Sequence, residues 1–445
     1  MRVSLPVRIL ARCFLAHGMN AEAFIEAASH ALGRPWPWLR PLASRLAKEY
    51  AGGSRPRERE VAGFLWHDRR LRHILRREGK RIKVVSAITG PQEMHAVRAA
   101  AGWNLPALPT VHDVAMWLQV TLSELAWFAD LKALNAEAED EKLRHYHYKP
   151  MLKRSGAARL IESPKPRLKE LQRQILREIL NGVPPHESVH GFVQSRSVKS
   201  FATPHAGQAV VLRMDIEDFF PSFSRGRIQS FFRTAGYPEA VADLLGGVCC
   251  NTAPRDLWDS ADVNLTPEER AAARILYGRP HLPQGAPTSP ALANICSYRL
   301  DCRLRGLAAS AGAHYSRYAD DLAFSGDRAF ERNVENFASH VAVIAAEEGF
   351  RINHRKTRMM GASVRQRLAG VVCNTKPNVS RTQFDVLKAT LTNCVRYGPE
   401  SQNRTGHAAF RQHLEGRVAY CEMLNADKAR RLRRLLEQIV WTNLA

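Results

Sequence analysis

Two adjacent carboxylates, Asp320 and Asp321, are the residues of this sequence that most readily suggest chemistry. They lie within an alternating stretch, His314–Phe324, which predicts two short strands joined by a tight turn that carries both acids at its tip. Paired acids repel each other unless a cation neutralises them, and hard divalent ions such as Mg²⁺ prefer oxygen ligands. The pair is therefore a candidate metal site, although a solvated turn would also carry such a pair.

Two motifs upstream favour the metal site. The first is an apolar strand, Val210–Phe220, which delivers Asp215 near its end and stops at Pro221. A third carboxylate would complete a two-ion site, the kind that holds the attacking and leaving oxygens in phosphoryl transfer. The second motif is Leu282–Pro290, whose glycine and prolines predict a sharp turn before a helical pattern that runs from Leu292 to Leu307.

The order and spacing of these three motifs resemble those of the reverse transcriptases, and residues 110 to 445 are similar to the bacterial retron type. The resemblance implies that Asp215, Asp320 and Asp321 are catalytic and hold two Mg²⁺ ions, with Mn²⁺ as a possible substitute. It also implies that the main-chain carbonyl of Ile216 is a further metal ligand. The expected fold is α+β: a right-hand polymerase with fingers, palm and thumb, an antiparallel palm sheet and a helical N-terminal extension.

The same resemblance assigns a set of nucleotide-binding residues. Phe220 stands where the family places the aromatic ring beneath the sugar, which would exclude a 2′-hydroxyl; the alternative is a plain core aromatic. The segment from Lys153 to Pro164 resembles the fingers hairpin. There the ammonium of Lys153, a point charge, and the guanidinium of Arg159, a bidentate donor, would bind the triphosphate. The alternative is a solvated basic hairpin. Lys356 would lie near the leaving pyrophosphate and donate a proton. The whole predicted set is Lys153, Arg159, Phe220, Gln284, Gly285 and Lys356.

Charge points to a polyanionic partner. The 445-residue chain has 65 Lys and Arg against 43 Asp and Glu, a formal net charge of +22. From residue 365 to the end there are 14 basic and 6 acidic side chains, net +8. The segment Leu414–Leu436 resembles the retron thumb, and a solvated helix face explains its leucine spacing but not its one-sided charge. The residues predicted to bind nucleic acid there are Arg430, Arg431, Arg433 and Arg434.

These anchors divide the chain into four predicted regions. Residues 1–105 form a helical N-terminal extension, 106–209 a helical pair with the fingers, 210–364 the palm with insertions of the fingers, and 365–445 a basic helical thumb. Thr110 and Thr121 are predicted to cap the two helices of the pair, which either packs against the fingers or reads nucleic acid as a helix-turn-helix. Another capping box is predicted at Thr266 and Glu269.

Two retron elements are altered. The Asn-Ala-x-x-His signature keeps Ala202 and His205 but has Phe201 in the place of the asparagine, and the Val-Thr-Gly element appears as residues 368–370, Leu-Ala-Gly. Phe201 thus replaces an amide and Ala369 replaces a hydroxyl, two groups that could hydrogen-bond RNA or a supporting loop. His205 itself is compatible with a core position or with a functional role.

The remaining features concern the setting. The eight cysteines form no C-x-x-C pair, which favours the reducing cytoplasm. No apolar run reaches the roughly 18 residues of a membrane span, so we expect no membrane partner.

The resemblance implies RNA-directed DNA synthesis. The template and primer would be a partner non-coding RNA, the product DNA, and the setting antiphage defence together with an effector protein. One alternative is a related defence polymerase with protein-primed or untemplated DNA synthesis. Another is a catalytically silent RNA-binding scaffold, against which the three mutually repulsive aspartates weigh.

Overall fold

A computed structural model describes residues 4–16, 19–51, 55–87, 92–153, 157–259 and 264–441. The chain divides into two compact units. The first comprises residues 1–184 and 220–296, and the second comprises residues 185–219 and 297–445. Both contain helices together with antiparallel strands, as the α+β prediction requires.

The helices of the described residues, in chain order, are α1 (Leu5–Ala16), α2 (Ala21–Ala31), α3 (Leu39–Glu49), α4 (Glu58–His67), α5 (Arg69–Glu78), α6 (Val111–Leu118), α7 (Leu122–Ala129), α8 (Pro166–Glu178), α9 (Val198–Ala202), α10 (Arg225–Thr234), α11 (Glu239–Val248), α12 (Pro267–Tyr277), α13 (Ser289–Cys296), α14 (Tyr298–Ser310), α15 (Arg328–Glu347), α16 (Arg381–Tyr397), α17 (Phe410–Leu424) and α18 (Ala426–Glu437). Short 3₁₀ turns connect several of them. Among the described residues, no helix is long and apolar enough to span a bilayer.

The strands are β1 (Tyr146–Leu152), β2 (Ala158–Pro164), β3 (Val210–Glu217), β4 (His314–Tyr318), β5 (Asp321–Gly326), β6 (Arg351–Ile352), β7 (Arg358–Gly361), β8 (Arg367–Leu368) and β9 (Val371–Val372). In the first unit β1 and β2 form an antiparallel hairpin, which confirms the hairpin predicted between Lys153 and Pro164. Residues 154–156 of that motif lie outside the described residues. In the second unit β4, β5, β3 and β6 follow one another in a sheet, and β7 also pairs with β3.

The N-terminal extension is helical, as predicted. Helices α1 to α5 share one apolar core, in which the rings of Phe14 and Phe24 meet edge to face with centroids 6.0 Å apart. The guanidinium of Arg55 is also buried there and donates to the carbonyl oxygens of Leu15 and Glu93. Burial lowers the pKa of Arg55 to about 10, against the opposing effect of the Glu93 and Glu239 carboxylates.

Capping residues set the ends of three predicted helices. Thr110 begins α6 and Thr121 begins α7, each with an acidic partner three residues on, and Thr266 begins α12 in the same way. In each box the threonine hydroxyl accepts from a backbone amide that the helix leaves unpaired. The helical pair α6 and α7 packs within the first unit, where the indole of Trp117 donates to Glu178 of α8 at 2.6 Å.

One stretch with a predicted helical pattern is interrupted by a break. The pattern from Leu292 to Leu307 forms two helices, α13 and α14, which are separated at Ser297. Ser297 is fully buried and adopts φ −91° and ψ 0°, which departs from the helical ψ of about −42°. The apolar spacing continues across the break, so periodicity alone does not reveal it.

The second unit ends in the three helices α16, α17 and α18. Leu387, Leu414 and Leu432 are buried, one from each helix, and belong to one apolar core that also includes Val211 of β3 and Ala323 of β5. The leucine spacing of the predicted thumb therefore forms a core, and the basic residues of α18 alternate with it on the outer side.

Candidate active site

Sheet register brings two of the three predicted catalytic aspartates face to face. In the antiparallel pairing of β3 with β5, Asp215 lies directly opposite Asp321. Asp320 occupies the turn between β4 and β5, and its carbonyl accepts the amide of Ile216 at 2.9 Å. Because opposed residues of antiparallel strands have Cβ atoms about 4.5–5.5 Å apart, the carboxylates of Asp215 and Asp321 leave the sheet side by side.

The turn that carries the acids has a strained backbone. Ala319 has φ +56°, in the left-handed region that residues with a Cβ seldom occupy. The guanidinium of Arg317 donates through Nη1 to the Ala319 carbonyl at 3.0 Å and binds both carboxylate oxygens of Asp301 at 2.7 and 2.8 Å. Arg317 and Asp301 are both fully buried, and the hydroxyl of Tyr315 donates to the same carboxylate. A satisfied buried ion pair thus holds the turn in place.

His205, the histidine of the altered signature, is a core residue that joins the two strands of this hairpin. Its ring nitrogens lie 2.7 Å from the hydroxyls of Ser316 on β4 and Ser325 on β5. Because the Ser316 hydroxyl donates to the carbonyl of Phe201, it accepts from His205 Nε2, and Nδ1 accepts from Ser325. Burial lowers the pKa of His205 to about 3, so the imidazole is neutral.

Two cations neutralise two of the carboxylates. Lys356 Nζ lies 2.9 Å from both oxygens of Asp215, and Arg213 donates to Asp321 Oδ1 at 2.6 and 2.9 Å. Asp320 is mainly shielded from solvent: burial, then the negative charges of Asp321 and Asp215, raise its pKa to about 6. Burial also raises the pKa of Asp321, against the opposing effect of Arg213.

The described residues contain no cluster of three or more His, Cys, Asp or Glu side chains arranged as metal ligands. Asp215 and Asp321 are each held by an ion pair, with Lys356 and Arg213 respectively. The chemistry of the donors nevertheless fits a hard divalent ion, because three carboxylates meet at one end of the sheet: burial first, and then the charges of Asp321 and Asp215, raise the pKa of Asp320.

In the first unit the predicted Gln284-Gly285 turn lies against strand β2. The amide of Glu162 donates to the Gln284 carbonyl at 2.9 Å, which adds the turn to the edge of the hairpin. Gly285 has φ +139°, and a Cβ there would lie 2.6 Å from the Glu162 carbonyl oxygen. A glycine is therefore required by both conformation and space.

A buried polar network that no sequence motif indicated supports this turn. The Glu162 carboxylate accepts from His281 Nε2 at 2.9 Å and from the Asn251 amide at 2.8 Å. Glu162 and His281 are essentially inaccessible to solvent; burial opposes the imidazolium, but the carboxylate raises the pKa of His281 overall. The three residues are distant in sequence and match no short motif, so only the fold reveals them.

The other predicted nucleotide-binding residues also lie in the first unit. Lys153 directly follows β1, and its amide donates to the Ala157 carbonyl at 2.8 Å; Arg159 is exposed on β2. Phe220 is half-buried just beyond β3, and its carbonyl accepts the amide of Phe223. Their contact with a nucleotide stays a prediction.

The four thumb arginines differ from one another. Arg430 pairs with Asp427 and Arg433 with Glu422, whereas Arg431 and Arg434 are exposed and have no ion pair among the described residues. The sequence pattern does not distinguish the four. Two of them are already partly neutralised by acids of the same unit.

Comparison with known proteins agrees with this geometry. Residues 151–387 match the family described as reverse transcriptase (RNA-dependent DNA polymerase), which also supports the right-hand polymerase fold. The chain is 38% identical to the retron Mx65 reverse transcriptase of Myxococcus xanthus, over 75% of this chain and 73% of the relative. It is 33% identical to the retron Mx162 reverse transcriptase of the same organism, over 76% and 68%. With the retron Ec86 reverse transcriptase of Escherichia coli the identity is 28%, over 74% and 89%.

Proposed function

The chain belongs to the retron reverse transcriptases and is an RNA-directed DNA polymerase, and we propose that it copies a partner non-coding RNA into DNA. The similarity to retron enzymes over three quarters of the chain supports this proposal most directly. The same RNA would supply template and primer.

Three aspartates form the proposed catalytic centre. Asp215, Asp320 and Asp321 would hold two Mg²⁺ ions, or Mn²⁺ in their place, with the carbonyl of Ile216 as an additional ligand. When bound, such ions neutralise charge on a phosphoryl group and activate the attacking hydroxyl. The register that opposes Asp215 and Asp321 supports this assignment, as does the raised pKa of Asp320.

Lys356 and Arg213 would then have distinct tasks. Each neutralises one aspartate through an ion pair. The Lys356 side chain is half exposed, so its ammonium could turn from Asp215 towards a leaving pyrophosphate and donate a proton there. Arg213, on β3, would keep Asp321 ionised and oriented, since a guanidinium neighbour favours the charged carboxylate.

Residues of the first unit would bind the nucleotide. In this proposal Lys153 and Arg159 contact the triphosphate, Gln284 and Gly285 line the nucleotide pocket, and Phe220 lies beneath the sugar. The Glu162 network supports the proposal because it holds the Gln284-Gly285 turn against the hairpin that carries Arg159.

The proposal extends to the biological setting by family resemblance. The DNA product would serve antiphage defence in the cytoplasm, together with an effector protein. The thumb arginines Arg430, Arg431, Arg433 and Arg434 would bind the RNA, with the two unpaired ones contributing most.

Sequencing the nucleic acid that copurifies with the full-length protein tests this function. We expect DNA covalently linked to a specific RNA, and no such DNA from the chain with Asp320→Asn and Asp321→Asn. Homopolymeric or protein-linked DNA would refute the RNA-copying proposal in favour of untemplated or protein-primed synthesis. Bound RNA without DNA from the wild-type chain would identify a silent scaffold instead.

A further inference from the structure

A strongly basic segment lies far from the catalytic aspartates in sequence, in the N-terminal extension. Residues 69–83 contain eight Lys and Arg side chains against one acid, net +7, and include helix α5. This segment precedes the stretch that matches the reverse transcriptase family, which begins at residue 151. Its charge is therefore additional to that of the polymerase motifs.

Helix α5 is firmly positioned by its inner side. Leu71 is buried in the core of the N-terminal extension, and Ile74 and Leu75 pack partly against the same core. Asp68 caps the helix by accepting the Leu71 amide at 2.7 Å. The same carboxylate pairs with Arg45 at 2.8 Å, which ties the start of α5 to α3.

The outer side of α5 carries cations alone. The one acid, Glu78, is seven residues after Leu71 and so lies on the inner side of the helix. We define the basic face as the exposed residues Arg69, Arg70, Arg72, His73, Arg76 and Arg77, which Lys80, Arg81 and Lys83 extend beyond the helix.

No ion pair of the described residues involves any cation of the basic face. Several of these cations are four residues apart, such as Arg72 and Arg76, and like charges at this spacing destabilise a helix. Helix α18 shows the contrast, because Arg430 pairs with Asp427 of the same helix and Arg433 pairs with Glu422 of α17. The basic face therefore has the charge pattern of a surface that a polyanion neutralises.

The burial of the apolar side of α5 and the spacing of its cations indicate which kind of polyanion the basic face binds. Helices that bind membranes bury their apolar side in the lipid. The apolar side of α5 is already buried in the protein core, so it is not free to enter a bilayer. Nucleic acid needs no apolar contact: a duplex of DNA carries one charge per about 1.7 Å, so roughly six phosphate charges lie along the 10.5 Å or so from Arg69 to Arg76.

We propose that the basic face of α5 is a second RNA-binding surface, which holds the phosphate backbone of the partner RNA through residues that precede the polymerase motifs in the sequence. The choice of RNA rests on the proposed function. Arg34 lies beside α5, where it borders a cleft of about 410 Å³ together with Trp36, Trp38, Ile74 and the acid Glu78. Its guanidinium carbon lies 3.7 Å from the Trp36 ring centroid, and its outer side is exposed.

The test uses the full-length protein with Arg69, Arg72, Arg76 and Arg77 changed to Gln. Glutamine keeps a high helix propensity, so α5 should remain folded. The matched control changes four other exposed cations of the same unit to Gln: Arg40, Lys48, Arg59 and Arg98. Binding of a synthetic RNA hairpin, a single-stranded RNA of equal length and phosphatidylserine vesicles is measured over a range of salt concentrations.

We expect the α5 variant to bind both RNA probes more weakly and to lower the slope of log K against log salt by about two to three, since each lost phosphate contact accounts for roughly 0.7–0.9. The control variant should keep the wild-type slope. A larger loss on the hairpin than on the single strand would identify paired RNA as the ligand. A wild-type slope for the α5 variant, or a loss confined to vesicles, would refute the proposal.

The same proteins separate this proposal from the proposed function. Extension of a primer on a short RNA template should persist in the α5 variant, because the catalytic centre is unchanged. A wild-type chain that binds the hairpin through α5 but does not copy RNA would refute the proposed function and leave the second RNA surface intact.

Discussion

Single residues give the three carboxylates of the proposed catalytic centre different surroundings. Asp215 and Asp321 form ion pairs with Lys356 and Arg213, whereas Asp320 has no ion pair among the described residues. Burial and the charges of its neighbours raise the pKa of Asp320 to about 6, and burial also raises the pKa of Asp321. A divalent ion would therefore gain most from Asp320, the carboxylate without a cation of its own. Lys356 and Arg213 offset the repulsion between Asp215 and Asp321, which explains how these two carboxylates remain close together.

Changing Phe220 to Val should relax the choice of sugar. With Phe220 beneath the sugar, as proposed, removing the ring would open space beside C2′, so the ratio of kcat/KM for ribonucleotides to that for deoxynucleotides should rise at least roughly tenfold, or about 1.4 kcal/mol. The ratio is the useful quantity because overall activity can fall. Phe223→Val, at a fully buried ring in the same unit, is the control for packing alone. An unchanged ratio in Phe220→Val would show that the ring is only part of the core.

His205 should make folding stability depend on pH. Burial holds its pKa at about 3, against 6.5 for the unfolded residue, so the unfolded state alone gains this proton as pH falls below 6.5. The free energy of unfolding of the wild type should then fall by about 1.4 kcal/mol for each pH unit below 6.5 because of His205. The stability gap between wild type and His205→Gln in urea unfolding should shrink by about 2 kcal/mol from pH 7 to pH 5.

The control for that measurement is His340→Gln, at an exposed position on α15. Its stability relative to wild type should be nearly the same at both pH values. A gap for His205→Gln that stays constant with pH would contradict the assignment of a neutral, buried imidazole.

At the scale of elements, the β4–β5 hairpin depends on its buried ion pair. Arg317→Met would leave the Asp301 carboxylate buried without a cation and the Ala319 carbonyl without a donor. Breaking such a pair should lower the free energy of unfolding by about 3–5 kcal/mol. Arg305→Met removes a half-exposed pair with Glu187 in the same unit and should cost no more than about 1 kcal/mol. Equal losses in the two variants would refute the structural role of Arg317.

Helix α18 offers a comparison within one element. Arg431→Gln with Arg434→Gln removes the two arginines that lack ion pairs among the described residues, and Arg430→Gln with Arg433→Gln removes the two that have them. If the unpaired arginines each contact a phosphate, the first variant should lower the salt slope of RNA binding by about 1.4–1.8. The second variant should change it less. A larger decrease of the salt slope for Arg430→Gln with Arg433→Gln would show that Asp427 and Glu422 do not compete with RNA for these arginines.

Several elements could be predicted from the sequence, because the interactions that form them join residues only a few positions apart. The capping boxes at Thr110, Thr121 and Thr266 fixed three helix starts, and alternation around the Asp320 turn predicted the β4–β5 hairpin. The break at Ser297 was not predictable, since the apolar spacing runs through it.

Contacts between distant segments could not be predicted from sequence. The pairs of Arg213 with Asp321 and of Glu162 with His281 join residues 108 and 119 positions apart. They depend on strand register and on burial, neither of which a short motif specifies. The arginine in Tyr-Ser-Arg-Tyr, Arg317, was visible as a charged residue three positions before Asp320, and that signal could have identified it.

At the scale of the whole molecule, the net charge of +22 is distributed over more than one element. The N-terminal segment 69–83 carries +7 and the C-terminal region from residue 365 carries +8. A polymerase that holds one structured RNA as primer and template needs contacts to its backbone beyond the catalytic centre. Both regions have the charge for that task, so under the proposed function the RNA affinity should depend strongly on salt.

Under the proposed function, this chain copies RNA into DNA with Asp215, Asp320 and Asp321. The most direct measurement is extension of a DNA primer on an RNA template by the purified protein, with Mg²⁺ and deoxynucleotides, for wild type and for the chain with Asp320→Asn and Asp321→Asn. Wild type should make DNA of template-defined sequence, and the variant should make none while binding RNA nearly as well, because amides cannot supply the negative charge that two dications require. Template-directed synthesis by the double variant at the wild-type rate would contradict the account.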